Sequence, residues 1–154
     1  MKNILLLSVL CFGISTGYAQ KVKAKNVPQN VKEAFQKNFP NAKVEKWQKE
    51  EGNFEAEFDF NKTENSALID ANGNLLETET EIPAKDLPQG VSIYLAKYEA
   101  GNKIKEASRI TDSKGSVTFE AECGEAEYIF DSLGNFVRKD LRKGEKEDDE
   151  KEKK

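Results

Sequence analysis

The sequence predicts an α+β fold of two tandem repeats, each with one helix packed on an antiparallel sheet of about four strands. The first observation is an alternation of apolar and acidic residues from Phe54 to Phe60, which indicates a strand with one buried face. The second is that the motif Phe-Glu-Ala-Glu at Phe54 recurs at Phe119. The third is that an Asp-x-x-Gly-Asn turn at Asp70 recurs at Asp131. Such internal similarity indicates two equivalent units that pack together.

Each repeat opens with a predicted amphipathic helix. The motif Val27-Pro28 in the first copy and Leu87-Pro88 in the second place a proline at the start of the helix, where its missing N–H costs nothing. Apolar residues then follow at helical spacing: Val31, Ala34, Phe35 and Phe39 in the first copy, and Val91, Tyr94, Leu95 and Tyr98 in the second. We expect both stripes, with Tyr94 and Tyr98, to lie in the core.

The predicted strands follow each helix and are separated by turn residues. They are 42–50, 54–60, 66–70 and 76–82 in the first copy, and 104–110, 117–123, 125–130 and 135–141 in the second. Val44 and Trp47 fall on opposite faces of a regular strand, so either a bulge or a strand that begins near Glu45 is needed to reconcile them. We expect the two sheets to share an interface or to continue into one larger curved sheet.

The chain is predicted to divide into four segments. Residues 1–19 have a lysine-bearing start, an apolar centre and a small-residue exit, which is typical of a secretory signal peptide cleaved before Gln20. A lipid anchor at Cys11 is the disfavoured alternative, because Leu10 precedes it. Residues 20–82 and 83–141 form the two repeats. Residues 142–154 are almost entirely charged and are predicted to be a disordered tail.

Composition excludes several kinds of function. The chain has no histidine, which removes the usual general base, the usual metal ligand and any Ser-His or Cys-His nucleophile pair. The formal net charge is −4, which disfavours a nucleic-acid partner. Cys123 is the one cysteine after residue 19, and its strand context predicts a buried small apolar side chain. No cofactor motif is present, and once the leader is removed no segment is predicted to insert in a membrane.

One turn has the oxygen ligands that calcium prefers. Asp70, Asn72 and Asn74 stand at alternate positions, as in a calcium loop. However, glycine stands at the fourth position of this turn and Leu75 at the sixth, whereas the calcium loop of the EF-hand requires glycine at the sixth. Asn-Gly between apolar strands is a strong hairpin signal. We therefore predict a structural turn and no metal site.

The order of these motifs resembles a known family. The motifs are, in order, Val-Pro-x-x-Val, Phe-Pro-Asn-Ala-Lys-Val before a tryptophan, Phe-Glu-Ala-Glu-Phe and Asp-Ala-Asn-Gly-Asn-Leu-Leu-Glu. This series is similar to the PepSY-like, β-lactamase-inhibitor-like domain of exported bacterial proteins of the Bacteroidetes type. The matching segments are Val27-Pro28, Phe39 to Val44, Trp47, Phe54 to Phe58 and Asp70 to Glu77. The resemblance implies a tandem helix-plus-sheet fold, a periplasmic or secreted location, and an inhibitor or protein-binding role.

The candidate binding residues lie on the predicted sheet. They are Trp47, Glu55, Glu57, Asp59, Glu77 and Glu79. We expect the acidic rows to form an open, solvated sheet face, because no pattern indicates a pocket that would raise a carboxyl pKa. The favoured hypothesis is a noncatalytic binding protein that holds a protein or peptide ligand on this face. The alternatives are a small carboxylate-dependent hydrolase and a structural envelope protein with no specific ligand.

Overall fold

The structure, a computed structural model, describes residues 20–141. The predicted signal peptide at 1–19 and the predicted tail at 142–154 lie outside the described residues. Within them the helices are α1 (Gln29–Asn38) and α2 (Gln89–Tyr98). The strands are β1 (Gln20–Val22), β2 (Val44–Glu50), β3 (Asn53–Phe60), β4 (Thr63–Ile69), β5 (Leu75–Glu81), β6 (Ile104–Asp112), β7 (Val117–Cys123), β8 (Ala126–Asp131) and β9 (Phe136–Leu141). A short 3-10 turn precedes each helix, at Ala24–Asn26 and Ala84–Asp86.

All strands between residues 20 and 141 belong to a single antiparallel sheet, in which each strand pairs with the next one along the chain. The two repeats are joined where β5 pairs with β6, with Glu77 opposite Asp112 and Glu81 opposite Ser108. The N–H of Ile82 continues this ladder by donating to the carbonyl oxygen of Ala107 at 2.8 Å. The fold is therefore α+β as predicted, and of the two expected arrangements the structure has the one in which both sheets continue into a single larger sheet.

The core lies between one face of this sheet and the two helices. α1 contributes Val31 and Phe35, and the Phe35 ring meets the Phe58 ring edge-on at 4.9 Å between centroids. In the second repeat Val91 and Leu95 of α2 pack in the same way. Among the described residues neither helix has both the length and the apolar character needed to cross a membrane.

Three details of the core test the sequence predictions. The predicted bulge in β2 is confirmed, since the register with β3 shifts between Val44 and Lys46. Cys123 is buried with 1% of its surface exposed, as predicted. The prediction that Tyr98 lies in the core is wrong, because 57% of its surface is exposed. Tyr94 is half-buried and stacks on Phe136 with 4.5 Å between ring centroids.

Aspartate side chains hold three of the turns. In each turn the Oδ1 atom accepts backbone N–H groups from the residues two and four positions later, at 2.8 to 2.9 Å. The aspartates are Asp70, Asp112 and Asp131. The strongest effect on each carboxyl is the hydrogen bond from the residue four positions later, which lowers its pKa. The turns at Asp70 and Asp131 are confirmed, as is the turn predicted at 111–116, where Asp112 makes the same hydrogen bonds without the Gly-Asn ending of the other two.

Two of these turns pack against the beginnings of the helices, and the two repeats do this differently. In the first, the Asn30 side-chain amide donates to the carbonyl oxygen of Ala71 at 2.8 Å. In the second, the corresponding helix position is Gly90, where an added Cβ would lie 2.5 Å from the carbonyl oxygen of Gly134. The second repeat therefore replaces a side-chain hydrogen bond with close backbone packing, which only glycine permits.

We predict that Gly90→Ala destabilises the protein. In an ordinary helix alanine is favoured over glycine by about 1 kcal/mol. Here the new methyl group overlaps the turn at Gly134, and overpacking of this kind typically costs about 1 to 3 kcal/mol. Urea unfolding measures the loss, with Ser92→Ala on the exposed side of the same helix as the control. An increase in stability for Gly90→Ala would contradict the close packing.

Candidate functional site

The sheet face turned away from the helices carries a cluster of glutamates that we call the acidic face. Strand alternation produces it, because Phe54, Ala56 and Phe58 point to the core and the residues between them point the other way. The carboxylates that line a cavity on this face are Glu55, Glu57, Glu79, Glu106, Glu120, Glu122 and Glu127. The cavity has a volume of about 260 Å³ and also includes Gln48 and Ser108.

The acidic face is concave. Its lining runs from Gln48 on β2 to Glu127 on β8, and on a flat sheet these two positions would be about 29 Å apart. Both nevertheless line the same cavity, so the sheet must curl strongly around it. The curl brings carboxylates of the first repeat close to those of the second.

Lysines neutralise part of this charge at two places. The Nζ atom of Lys46 lies 3.0 Å from Glu57 Oε1, and Gln48 donates a hydrogen bond to the same carboxylate. The Nζ atom of Lys105 lies 3.0 Å from Glu122 Oε1, and the Glu122 side chain is only 8% exposed. These ion pairs place a positive charge beside one carboxylate of each repeat.

The carboxyl groups between these ion pairs are different, because burial raises their pKa. For Glu55 and Glu79 burial is the largest effect, and hydrogen bonds from Ser66 and Ser108 oppose it. For Glu120, burial and the neighbouring charge of Glu79 raise the pKa to about 8. At neutral pH Glu120 therefore retains a proton that a carboxyl group in water would release.

The structure brings together three of the six residues predicted to bind a ligand. Glu55, Glu57 and Glu79 line the cavity. Asp59 and Glu77 alternate onto the same face but are exposed and lie outside the cavity lining. Trp47 lies on the opposite face, where it is 6% exposed and its ring meets that of Phe35 at 6.0 Å. The expected open, solvated surface is corrected to a half-buried cavity.

The sequence predictions missed the residues that the second repeat contributes. Glu106, Glu120, Glu122 and Glu127 all line the cavity. The signal for two of them was present, because the repeated Phe-Glu-Ala-Glu motif makes Glu120 and Glu122 the counterparts of Glu55 and Glu57. No local pattern indicated that the two motifs would face each other across a curved sheet.

The chemistry available at this site is the binding of positive charge. Carboxylates accept hydrogen bonds from guanidinium and ammonium groups, and such charge-assisted bonds are the stronger kind. Among residues 20–141, no three carboxylate or thiol side chains are arranged to hold a metal ion. Carboxylates in this cavity could form such bonds with an organic cation, such as an arginine or lysine side chain.

Comparison with known proteins reproduces the duplication. A family model described as "Putative beta-lactamase-inhibitor-like, PepSY-like" matches twice, at residues 16–77 and 56–138. Together the two matches span most of the chain. No curated protein matches the sequence.

Several solved structures share the fold. A DUF2874 family protein from Bacteroides uniformis is 21% identical, with a TM-score of 0.64 over 74% of this chain and 88% of that one. A protein from Bacteroides eggerthii, described as a "putative periplasmic" protein, is 16% identical, with a TM-score of 0.65 over 75% and 88%. A BLIP-like protein from Bacteroides fragilis is 22% identical, with a TM-score of 0.59 over 74% and 85%. At these identities the likeness concerns the fold alone.

We predict that the free energy of unfolding decreases as the pH rises from about 5 to about 8. In this window Glu120, with its pKa raised to about 8, keeps a proton that the unfolded chain, with carboxyl pKa values of about 4, has released. Since the folded state binds more protons, raising the pH favours unfolding. Glu120→Gln should reduce the dependence of the free energy of unfolding on pH, and it should raise that free energy by about 1 to 2 kcal/mol at pH 8.

Urea unfolding over a pH series measures this effect. The matched control is Glu77→Gln, which removes a carboxyl from the same face outside the cavity and should keep the slope of the parent protein. Equal slopes for the parent and Glu120→Gln would contradict the described burial of Glu120.

Proposed function

The chain belongs to the PepSY-like, β-lactamase-inhibitor-like family, and we propose that it is an exported, noncatalytic binding protein whose acidic face holds a protein or peptide ligand. The observation that carries this proposal is the convergence of carboxylates from both repeats in one concave cavity. Keeping such groups half-buried costs stability, since each must either lose its charge or be desolvated. A ligand that supplies positive charge would recover that cost.

The size of the cavity specifies the kind of ligand. At about 260 Å³ it lies just below the roughly 300 to 1,000 Å³ of typical small-molecule pockets. It therefore suits one or two cationic side chains that project from a larger protein surface or an extended peptide. An inhibitor-like role would follow if the bound surface belonged to an enzyme, as the family description suggests.

Binding of a cationic peptide tests this proposal. We expect an arginine- and lysine-rich peptide, titrated by calorimetry, to bind more weakly as salt is added, because salt screens charge pairs. The double variant Glu55→Gln/Glu79→Gln should bind about tenfold more weakly. Asp59→Asn/Glu77→Gln is the matched control, with two charges removed from the same face outside the cavity. Equal losses in both double variants would contradict a specific site.

Proton release provides a second readout. Because the pKa of Glu120 is raised to about 8, a cation that binds near neutral pH should displace protons from the cavity. The observed binding enthalpy would then depend on the ionisation enthalpy of the buffer, and this dependence should decrease in Glu120→Gln. Inhibition of a panel of serine β-lactamases, measured with the parent and the same variants, tests the enzyme target separately.

The raised pKa of Glu120 also favours a second candidate, a carboxylate-dependent hydrolase. A general acid must hold its proton near neutral pH, and a carboxyl with a pKa of about 8 does so. Turnover of chromogenic glycosides at pH 6 that is lost in Glu120→Gln and kept in Glu77→Gln would replace the binding proposal with this one.

Export to the periplasm is part of the proposal. It is supported by the apolar leader in residues 1–19 and by the description of the Bacteroides eggerthii structure. We expect mass spectrometry of protein purified from a periplasmic extract to find Gln20 at the N-terminus. A chain that still begins at Met1 would contradict cleavage at this site.

A further inference from the structure

The strand β9 (Phe136–Leu141) borders the described part of the sheet. All six of its residues are exposed. Its inner edge pairs with β8, and within residues 20–141 no strand pairs with its outer edge. In the first repeat the corresponding strand is β5, whose outer edge pairs with β6. The same kind of edge is therefore covered in one repeat and available in the other.

Exposed apolar side chains concentrate around this available edge. The large hydrophobic residues described as exposed in the second repeat are Ile93, Tyr98, Leu133, Phe136, Val137 and Leu141. In the first repeat there is one, Phe60, and it is 36% exposed. Three of these residues, Phe136, Val137 and Leu141, lie on β9 itself, and exposed apolar side chains on an unpaired strand edge are typical of a surface that another chain covers.

The register of β9 on β8 assigns its side chains to the two faces of the sheet. Arg138 lies opposite Ile129 and Asp140 opposite Glu127, which places both on the acidic face. Lys139 lies opposite Tyr128 and Leu141 opposite Ala126, which places both on the helix-covered face. Val137 is the additional residue of a bulge and precedes Arg138.

The side chains on either side of Lys139 are complementary to those of a second copy of β9 that runs antiparallel to it. Arg138 and Asp140 flank Lys139 with opposite charges, and Val137 and Leu141 flank these with apolar side chains. In an antiparallel pair centred on Lys139, each Arg138 would face the Asp140 of a second copy. Each Val137 would likewise face the Leu141 of that copy. Cross-strand pairs of these kinds stabilise antiparallel sheets.

We propose that β9 is a homodimerisation edge, at which two copies of this chain pair their β9 strands antiparallel about Lys139. The copies are then related by a two-fold axis perpendicular to the sheet, so each acidic face stays on the same side and continues into the other. This proposal goes beyond the proposed function and does not depend on it.

The meeting of two Lys139 side chains is the one unfavourable pair in this arrangement. Each Lys139 is already neutralised in its own copy, because its Nζ atom lies 3.0 Å from Glu99 Oε1. The same Nζ atom lies 4.8 Å from the centre of the Tyr128 ring. Within each copy Arg138 Nε bonds Asp140 Oδ2 at 2.7 Å, and the proposed dimer exchanges these two exposed pairs, one per copy, for two pairs between copies.

Charge exchange tests the pairing. We expect the purified protein to sediment as a dimer at about 0.1 mM, where a dissociation constant of about 10 µM leaves mostly dimer. Arg138→Asp places aspartates opposite each other, and Asp140→Arg places arginines opposite each other. Each variant alone should associate about ten- to thirtyfold more weakly. An equimolar mixture of the two should recover dimer, because every cross-strand pair then has opposite charges.

A parent protein that is monomeric at this concentration would overturn the proposal, as would single variants that dimerise like the parent. If the mixture of the two variants failed to recover dimer, the pairing of Arg138 with Asp140 would be refuted. Circular dichroism and urea unfolding of each variant establish that the sheet is intact, so that loss of fold is not read as loss of pairing.

Cross-linking tests the register. Lys139→Cys should form a disulfide-linked dimer on mild oxidation, since facing residues in antiparallel strands lie about 4.5 to 5.5 Å apart between Cα atoms, within disulfide range. Lys85→Cys, exposed in the short turn before α2, is the control and should not cross-link. The buried Cys123 is present in both variants. Equal cross-linking at both positions would refute the register.

Discussion

The pairing of β5 with β6 is the interaction on which the rest of the structure depends. It converts two helix-and-sheet units into one sheet and covers an edge that either unit alone would expose. Its register also determines which side chains share a face. A shift of one residue at Glu79 and Ile110 would turn every side chain of one repeat to the wrong side of the other. Both helices lie on one face, and both acidic motifs lie on the other, because this register is kept.

The two faces of the sheet have opposite energetic roles. The helix-covered face buries aromatic and aliphatic side chains, which provides the driving force for folding. The acidic face brings carboxyl groups of both repeats together in a half-buried site, where burial and mutual repulsion raise the pKa of several of them. Stability gained on one face is thus partly given up on the other, which is the usual relation between a scaffold and its functional surface.

Periodicity alone predicted much of the fold. Apolar residues at helical spacing predicted the helices that contain Val31 and Val91, and both helices are confirmed. Alternating apolar and acidic residues predicted the strand Phe54–Phe60, which is also confirmed. The bulge in β2 was predictable for the same reason, since Val44 and Trp47 break the period of two. These features depend on residues that are close together in the chain, so they can be predicted from the sequence alone.

The remaining features depend on residues far apart in the chain. Curvature of the sheet decides that Glu55 and Glu120 line the same cavity, and no short segment encodes it. Tyr98 has the spacing of a core residue, yet it is exposed, because its ring contacts that of Tyr94, and it is Tyr94 that stacks on Phe136 of the sheet. The candidate site was accordingly only half predictable, because its first-repeat residues follow from alternation and its second-repeat residues follow from the shape of the whole sheet.

The order of the strands also has a consequence for how the protein reaches its fold. From β2 to β9 each strand pairs with the strand that precedes it in the chain. Contacts between segments that are close in sequence form rapidly, because little chain entropy is lost in closing the loop between them. The described sheet can therefore grow mostly by hairpins between consecutive strands, whereas the pairings of β1 with β2 and of β5 with β6 must each close a longer connection that contains a helix. These two pairings are thus the ones that lose the most chain entropy when they form.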